Sequence, residues 1–285
     1  MKRLLKPVVR KAFGLKADQV FREIIRQETG LARQIGLALQ DVVTDNFSQE
    51  ERTVIERIEQ RRSALGRMDD EIAFVDFGAG QSTEHRTQME MQNGVVSKRR
   101  ISSIAAVSKP PFWASILFKL VRRLEPQTIV ELGTCVGISA AYQASAQKLN
   151  QRGKLFSLEG AESLATISRE TLGGLGISNS EVVLGPFHQT LMPVLEEHAP
   201  IDFFFNDGHH DHDAVLEYFE KSLPFLAGDA VMVFDDISWS DGMRQAWKEI
   251  VADPRIRFSL DLRSIGVVVI SAERGTKTHY RAALV

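Results

Sequence analysis

Acidic side chains follow two apolar runs in the second half of the chain, at the points where β-strands would end. Asp207 comes directly after the run Ile201–Asn206, and Asp235 and Asp236 come directly after Ala230–Phe234. The carboxyl ends of neighbouring parallel strands meet at one edge of a sheet, where α/β proteins bind ligands. Carboxylates held together there repel one another unless a cation lies between them, and oxygen ligands suit Mg²⁺, Mn²⁺ or Ca²⁺. The pattern predicts a divalent-cation site, although strand-end acids can also cap a following helix.

A glycine-containing turn follows an earlier strand of the same region. The strand predicted at Thr128–Leu132 continues through Gly133 and Gly137 into a helix. The spacing differs from the Gly-x-Gly-x-x-Gly pattern that binds a pyrophosphate, but amides at the start of a helix favour a carboxylate. Glu159 ends the next predicted strand, where an acid can accept both hydroxyls of a ribose. Both features lie just past a strand end, where such sheets bind their ligands.

This turn resembles a known motif. The run Glu131-Leu-Gly-Thr-Cys-Val-Gly-Ile-Ser-Ala is similar to the first motif of class I S-adenosylmethionine-dependent methyltransferases, and more closely to their catechol O-methyltransferase-like branch. The resemblance covers about residues 100 to 272 and implies S-adenosylmethionine as the cofactor. The residues that it implies for cofactor binding are Glu131, Gly133, Cys135, Gly137, Ser139, Glu159, Gly160, His188 and Asp207.

The resemblance also divides these residues among the parts of the cofactor. It assigns the methionine portion to Gly133, Cys135, Gly137 and Ser139, and it assigns the ribose hydroxyls to Glu159. The stretch Gly185–Gln189, which contains His188, occupies the place where the family approaches the adenine. The family often has an acid directly after this glycine, whereas this chain has Pro186.

The same resemblance bears on the acidic residues and on a neighbouring histidine. Metal-dependent O-methyltransferases carry an Asp after the fourth core strand and an Asp-Asn or Asp-Asp pair after the fifth, and Asp207, Asp235 and Asp236 fall on these positions. The resemblance therefore implies these three as ligands of a divalent metal, with Mg²⁺ favoured over Mn²⁺ and Ca²⁺. His210 stands where the catechol enzymes place a lysine base. Imidazole is suited to act as a base at neutral pH, so His210 is the predicted catalytic residue.

Other interpretations of the histidine-rich loop stay open. His209 or His212 could take part in a transition-metal site, or the loop could be polar surface in which Asp211, His212 and Asp213 cap the next helix. Trp239 directly follows Ser238 after the acidic pair and could form a wall of a substrate pocket, whereas Trp247 is expected in the core.

The elements that must position these residues alternate between strands and helices, which indicates an α/β fold. We predict a Rossmann-like, seven-stranded, mostly parallel sheet with helices on both faces and an antiparallel final hairpin. The predicted strands are Thr128–Leu132, Lys154–Leu158, Glu181–Leu184, Ile201–Asn206, Ala230–Phe234, Phe258–Leu262 and Val267–Ile270, and the predicted helices include Ala140–Leu149, Ala161–Leu172 and Ala214–Pro224.

The sequence before this core is rich in charged residues, poor in glycine and proline, and begins with a helical periodicity. We predict a helical N-terminal extension over residues 1–70, a connector or lid segment over residues 71–111, and the methyltransferase core over residues 112–285. The extension contains a basic amphipathic helix within residues 1–16, a helix over Asp18–Val43, and a further helix that opens at a capping box of Ser48 and Glu51. We expect the basic helix to pack on its own protein or on a second subunit rather than to lie on a membrane surface. These helices could cover the site or form a homo-oligomer interface.

Composition excludes several classes of protein. The 285 residues carry a formal net charge of -2, which gives no electrostatic signature of nucleic-acid binding. A single cysteine, Cys135, excludes an intramolecular disulfide framework and a multi-cysteine zinc site. The apolar runs are too short to span a bilayer and the N-terminus lacks a secretory signal, so we expect a cytoplasmic protein.

The predicted function is transfer of a methyl group from S-adenosylmethionine to a metal-coordinated hydroxyl of a small molecule. The Asp-Asp form of the acidic pair resembles the branch that acts on antibiotic sugars and other natural-product hydroxyls. The alternatives are a metal-independent methyltransferase acting on nitrogen or a carboxylate, a nicotinamide-dependent oxidoreductase, and a non-catalytic binding protein.

Overall fold

The computed structural model describes residues 5–78, 80, 86–271 and 276–284, with the backbone alone for residues 5–15 and 88. The helices are α1 (Leu5–Gln27), α2 (Gly30–Val43), α3 (Gln49–Leu65), α4 (Gln88–Asn93), α5 (Ile101–Ala106), α6 (Pro111–Leu124), α7 (Ile138–Asn150), α8 (Glu162–Gly174), α9 (Phe187–His198), α10 (His212–Ser222) and α11 (Asp241–Ala252). The strands are β1 (Glu71–Asp76), β2 (Val95–Arg100), β3 (Thr128–Leu132), β4 (Lys154–Glu159), β5 (Ser180–Leu184), β6 (Ile201–Asn206), β7 (Leu226–Phe234), β8 (Ile256–Asp261), β9 (Gly266–Ser271) and β10 (Thr278–Arg281).

The main sheet confirms the predicted fold class. Its order is β10-β8-β9-β7-β6-β3-β4-β5, the strands from β3 to β7 are parallel, and β9 is antiparallel to both β7 and β8. An eighth strand, β10, pairs in parallel with β8 and was not predicted. Its four residues alternate between half-buried and exposed positions, so no apolar run indicates it in the sequence.

The central strands are buried because helices cover both faces of the sheet. Phe203, Phe204 and Phe205 of β6 are all fully buried, and Phe204 packs into a different core from its two neighbours. A strand covered on both faces has a continuous apolar sequence, as β6 does. The pairing of β3 with β6 and of β6 with β7 aligns Leu132, Asn206 and Phe234, so the polar residues that follow them lie side by side.

The N-terminal helices share the core of the sheet. Phe21 and Ile24 of α1 and Ile35 and Leu39 of α2 are fully buried in the same cluster as β3 and β6 residues. The prediction of one helix over Asp18–Val43 is wrong, because α1 ends at Gln27 and α2 begins at Gly30, whose φ is +51°. The predicted capping box is confirmed by reciprocal bonds between Ser48 and Glu51. No helix in the described ranges combines the length and the hydropathy that a bilayer crossing requires.

A second, two-stranded sheet lies within the segment predicted as a connector or lid. β1 and β2 pair antiparallel from Glu71 with Arg100 to Asp76 with Val95. The hairpin contacts α8, where the Ser163 hydroxyl donates to the Ala73 carbonyl at 3.2 Å. Its strands alternate between half-buried and exposed residues, which is typical of a sheet that packs on one face.

A buried ion cluster joins the N-terminal extension to the core, and it can be tested by mutation. The Glu51 carboxylate accepts from Lys119 Nζ at 2.7 Å and from Arg122 Nε at 3.0 Å. Glu51→Ala leaves the buried Lys119 ammonium without its partner, so we expect a loss of about 3 kcal/mol in the free energy of unfolding, measured by urea titration. The matched control is Glu50→Ala on the exposed face of the same helix. Equal stability of the two variants would contradict this role for Glu51.

Candidate active site

The glycine-containing turn lies at the carboxyl edge of the sheet and approaches its neighbours closely. Gly133 has a φ of +94°, and a Cβ atom there would lie 2.7 Å from the carbonyl oxygen of Asp207. Gly137 has a φ of +84°, and a Cβ atom there would lie 3.1 Å from Cα of Ser168. Both positions therefore require glycine for conformation and for space. This turn brings the start of α7 to the edge where Asp207 lies.

Glu159 connects the turn to the end of β4. Its carboxylate accepts from the Cys135 amide at 2.7 Å and from the Ala161 amide at 2.9 Å. Burial raises the pKa of Glu159 to about 7. Burial also raises the pKa of the Cys135 thiol to about 12, which favours its protonated form at neutral pH. Glu159 still faces the crevice above the turn.

Glu131 lies beneath the turn and lines neither part of the crevice. It is fully buried, and its carboxylate accepts from Gln143 Nε2 at 2.8 Å and from the Ser157 hydroxyl at 2.5 Å. Burial raises its pKa to about 7. The structure therefore places Glu131 as a support of the turn rather than in contact with a ligand, which differs from the cofactor contact that the sequence analysis expects.

Two of the three predicted acidic residues, Asp207 and Asp235, come together with His210 at the ends of β6 and β7, and Asp236 lies beside this group. Asp207 donates its amide to the Leu132 carbonyl at 3.1 Å, and Asp235 donates its amide to the Asn206 carbonyl at 2.9 Å. The Asp235 side chain is buried, whereas Asp236 is partly exposed and has a φ of +50°. One oxygen each of Asp207 and Asp235 and a ring nitrogen of His210 lie within 4.8 Å of one another.

A lysine from the preceding segment enters this cluster, and the sequence analysis missed it. The Lys109 ammonium forms an ion pair with Asp235 and lies 3.7 Å from Asp207 Oδ1. Lys109 is 98 positions from Asp207 along the chain, so local patterns could not bring them together. The available signal is its place before Pro110, since a residue before proline is held extended and presents its side chain in a restricted direction.

His210 is the histidine that faces the acidic cluster. Its Nε2 atom lies 3.6 Å from Asp207 Oδ1 and 3.8 Å from Asp236 Oδ2. His209 turns away into the protein, where its Nδ1 atom lies 2.5 Å from the Tyr218 hydroxyl, and burial lowers its pKa to about 4. His212 is directed towards Asp213 and Glu249.

The structure distinguishes between the two alternatives for the histidine-rich loop, a helix cap and a transition-metal site. Asp211 caps α10 by accepting from the amides of Asp213 and Ala214, as one of the alternatives predicts. Neither His209 nor His212 belongs to a cluster of metal-ligating atoms in the described ranges.

The crevice above the turn consists of two adjacent cavities that share lining residues. Gly133, Glu159, Asp207 and His210 line both of them. The first part is completed by Gly160, Pro186, Phe187 and hairpin residues that include Phe77, and the second by Ser108, Lys109, Cys135, Ser139, Asp236 and Trp239. Arg99 of β2 lines both parts and was not predicted from the sequence. The hairpin therefore forms one wall of the crevice.

One predicted contact needs correction at this crevice. His188 is exposed and lies outside both parts, because α9 begins at Phe187 and its first turn directs His188 away. Pro186 and Phe187 line the crevice instead. Gly160 lines it as expected, and a Cβ atom there would lie 2.5 Å from the Phe77 ring. Trp239 lines the crevice 5.7 Å from the His210 ring, whereas Trp247 is buried in the core.

The donor set of the cluster is compatible with a divalent cation. Asp235 Oδ1 and His210 Nε2 are buried atoms with no hydrogen-bond partner in the described structure. Unsatisfied buried donors and acceptors are rare in folded proteins and point to an additional partner. Carboxylate oxygens suit Mg²⁺ or Mn²⁺, although the Lys109 ammonium already lies in the same cluster.

Comparison with known proteins finds similar sequences over the region of the site. Residues 130–237 match the family described as Methyltransferase domain. A catechol O-methyltransferase of Niastella koreensis is 27% identical over 138 residues, which are 48% of this chain and 61% of that protein. The chain thus spans less than two thirds of this relative's length.

Solved structures share the fold. A methyltransferase of Podospora anserina, PaMTH1, superposes with a TM-score of 0.51 at 19% identity, over 60% of this chain and 82% of that one. An O-methyltransferase from Bacillus cereus gives 0.51 at 23% identity, over 60% and 85% of the two chains. The match over residues 130–237 and the shared fold support the resemblance to class I S-adenosylmethionine-dependent methyltransferases that the motifs indicate.

The close approach of Gly133 to Asp207 gives a direct test of the turn. Gly133→Ala would place a methyl group 2.7 Å from a backbone oxygen at a positive φ, so we expect destabilisation on the order of 1–3 kcal/mol. Gly173→Ala is the matched control, because no atom lies within 4 Å of its added Cβ and the position is in a helix. We expect that control to gain about 0.5–1 kcal/mol in thermal unfolding experiments. A Gly133→Ala protein as stable as the control would rule out the steric constraint.

The raised pKa of Glu131 predicts a pH dependence of stability. Between pH 4.5 and about 7 the folded protein keeps a proton on Glu131 that the unfolded chain releases, so the free energy of unfolding falls as pH rises through this window. We expect Glu131→Gln, which cannot titrate, to reduce this decline between pH 5 and pH 7.5 by on the order of 3 kcal/mol. Urea titrations at several pH values measure it. A slope equal to that of the wild type would contradict the assignment.

Proposed function

We propose that the protein transfers a methyl group from S-adenosylmethionine to a hydroxyl oxygen of a small molecule. One observation supports this above the others: Glu159 on the donor side and Asp207 and His210 on the acidic side line the same cavities above the glycine turn. Methyl transfer requires donor and acceptor to be held in line at short range, and much of its acceleration comes from that positioning.

The donor would lie along the turn. Glu159 would hold the ribose hydroxyls, Gly133, Cys135 and Ser139 would border the methionine portion, and Gly160 with Phe187 would border the adenine, since all of these residues line the crevice. Structures with the same fold support this assignment, because PaMTH1 is described with S-adenosylhomocysteine and the enzyme TomG of Streptomyces achromogenes with S-adenosylmethionine. Gly137 would act by shaping the turn, because it packs on Ser168.

The acceptor hydroxyl would lie at the acidic cluster. Asp207, Asp235 and Asp236 would hold a divalent cation there, with Mg²⁺ favoured, and the cation supplies Lewis acidity that lowers the pKa of a hydroxyl. His210 Nε2 faces Asp207 and Asp236 without a hydrogen-bond partner of its own. It would therefore accept the hydroxyl proton as the general base. Trp239 would form the outer wall for an aromatic or sugar acceptor.

The bond changes of the proposed transfer balance without a further reactant. The acceptor oxygen forms a bond to the methyl carbon, the carbon–sulfur bond breaks with its electron pair returning to sulfur, and the hydroxyl proton passes to His210. Arg99 and Phe77 of the hairpin wall would restrict water in the crevice.

A second candidate is methyl transfer without a metal. The ion pair of Lys109 with Asp235 favours it, because an ammonium already neutralises part of the acidic cluster. Turnover in the presence of a chelator separates the candidates: a metal-dependent enzyme loses activity and regains it with Mg²⁺, whereas a metal-independent enzyme does not respond. The cytoplasmic location and a homo-oligomer formed through the N-terminal helices remain proposals.

The division between donor and acceptor residues gives a binding test. We expect Glu159→Gln to weaken S-adenosylmethionine binding by at least tenfold, because the amide group cannot accept from two backbone amides and two ribose hydroxyls as a carboxylate does. Asp236→Asn leaves the donor side intact, so its affinity should stay within about twofold of the wild type. Isothermal titration calorimetry measures both, with a nicotinamide dinucleotide as the contrasting ligand. Equal losses in the two variants, or tighter binding of the dinucleotide, would contradict the proposal.

A further inference from the structure

Lys109 is the cation that neutralises the acidic cluster in this structure. Its ammonium contacts Asp235 and lies 3.7 Å from Asp207 Oδ1, and only 10% of its side chain is exposed. We propose that Lys109 is a built-in counter-ion that occupies the cation position of the acidic cluster, and that a divalent metal ion binds there only by displacing it. This inference takes the acidic cluster from the proposed function and adds a residue that controls access to it.

The N-terminal extension holds Lys109 in place. Arg62 of α3 donates to the carbonyl of Lys109 at 2.7 Å and to that of Ser108 at 3.3 Å. Arg62 in turn donates to Glu59 at 2.9 Å, and Glu59 also accepts from the Tyr142 hydroxyl of α7 at 2.8 Å. This chain of contacts fixes the backbone at Lys109, while Pro110 restricts its conformation from the other side. The extension therefore positions an ammonium group at the site, which is a role that the sequence analysis does not assign to it.

The charges around Lys109 would allow a divalent cation to replace its ammonium group. The groups that face it are the carboxylates of Asp207 and Asp235, with Asp236 and His210 beside them. One ammonium balances one of these negative charges, and Asp235 Oδ1 remains without a hydrogen-bond partner. A divalent cation would balance two charges and satisfy that oxygen, so it can compete with the lysine. The competition lowers the apparent metal affinity, because binding must also break the ion pair.

Segment 107–109 also borders the donor side of the crevice. Val107, Ser108 and Lys109 line the same part of the crevice as Cys135 and Ser139. Displacement of the lysine by a metal would therefore move a group that borders both the donor and the acceptor positions, and a lysine in place would keep the metal position closed.

The test measures metal binding rather than turnover. Mn²⁺ is titrated into the full-length protein, and free Mn²⁺ is followed by electron paramagnetic resonance. We expect Lys109→Met, which keeps the length of the side chain without its charge, to bind Mn²⁺ at least tenfold more tightly than the wild type. Lys109→Arg keeps the charge and should bind as weakly as the wild type. Lys98→Met removes an exposed lysine of the hairpin and is the control for net charge.

Two further variants keep the proposal testable if Lys109→Met is unstable. Arg62→Met should loosen the backbone at Lys109 without touching the cluster, and we expect it to increase Mn²⁺ affinity by a smaller factor. Asp235→Asn combined with Lys109→Met should abolish the gain. Unchanged or weaker Mn²⁺ binding in Lys109→Met, or a gain that survives Asp235→Asn, would overturn the proposal, and so would the absence of Mn²⁺ binding in every variant.

The outcome is separable from that of the proposed function. S-adenosylmethionine binding by calorimetry tests the methyltransferase proposal and does not depend on Mn²⁺. A protein that binds the donor but shows no effect of Lys109 on Mn²⁺ affinity would refute this inference alone. A protein that shows the Lys109 effect but does not bind the donor would refute the proposed function alone.

Discussion

The repulsion among carboxylates at one edge of the sheet is the constraint on which the site depends. The alignment of Leu132, Asn206 and Phe234 on three adjacent strands makes Gly133, Asp207 and Asp235 neighbours. Acidic groups that are buried side by side destabilise a fold unless they are protonated or paired with a cation. In this protein Lys109 supplies the positive charge. Gly133, directly after β3, has no side chain and so allows the Asp207 backbone to approach closely.

The N-terminal extension packs against the sheet and helps to position the positive charge at the acidic cluster. Its helices share a core with the sheet, and the buried pair of Glu51 and Lys119 joins α3 to α6. Arg62, in the last turn of α3, donates a hydrogen bond to the backbone carbonyl of Lys109. Stability and site geometry are therefore coupled through one helix, because the same element that closes the core also places the counter-ion.

Most of the fold was predictable from the sequence, because its signals are local. The apolar run of β6 and the strand-to-helix turn at Gly133 each indicate their structure within a few residues. The short polar strand β10 carries no such run, the hairpin offers only the four apolar residues Ile72–Val75 of β1, and the break between α1 and α2 spans two residues within a long helical pattern.

The site was predictable in part, for the same reason. Asp207, Asp235 and His210 follow strand ends, so the parallel topology brings them together. Lys109 could not be predicted to lie there, because its position depends on the packing of α3 and on a proline rather than on a pattern. The direction of His188 depends on the residue at which α9 begins, which sequence patterns locate only approximately.

The measurement that tests the central claim most directly is the relaxation of the donor methyl group by a paramagnetic ion at the acidic cluster. S-adenosylmethionine with a carbon-13 methyl group is bound to the protein, and Mn²⁺ is added until its site is saturated. We predict strong broadening of the methyl resonance, and we predict that Asp235→Asn removes this broadening. A sharp methyl resonance with both ligands bound would show that the donor and the acidic cluster do not share one crevice, and it would contradict the account.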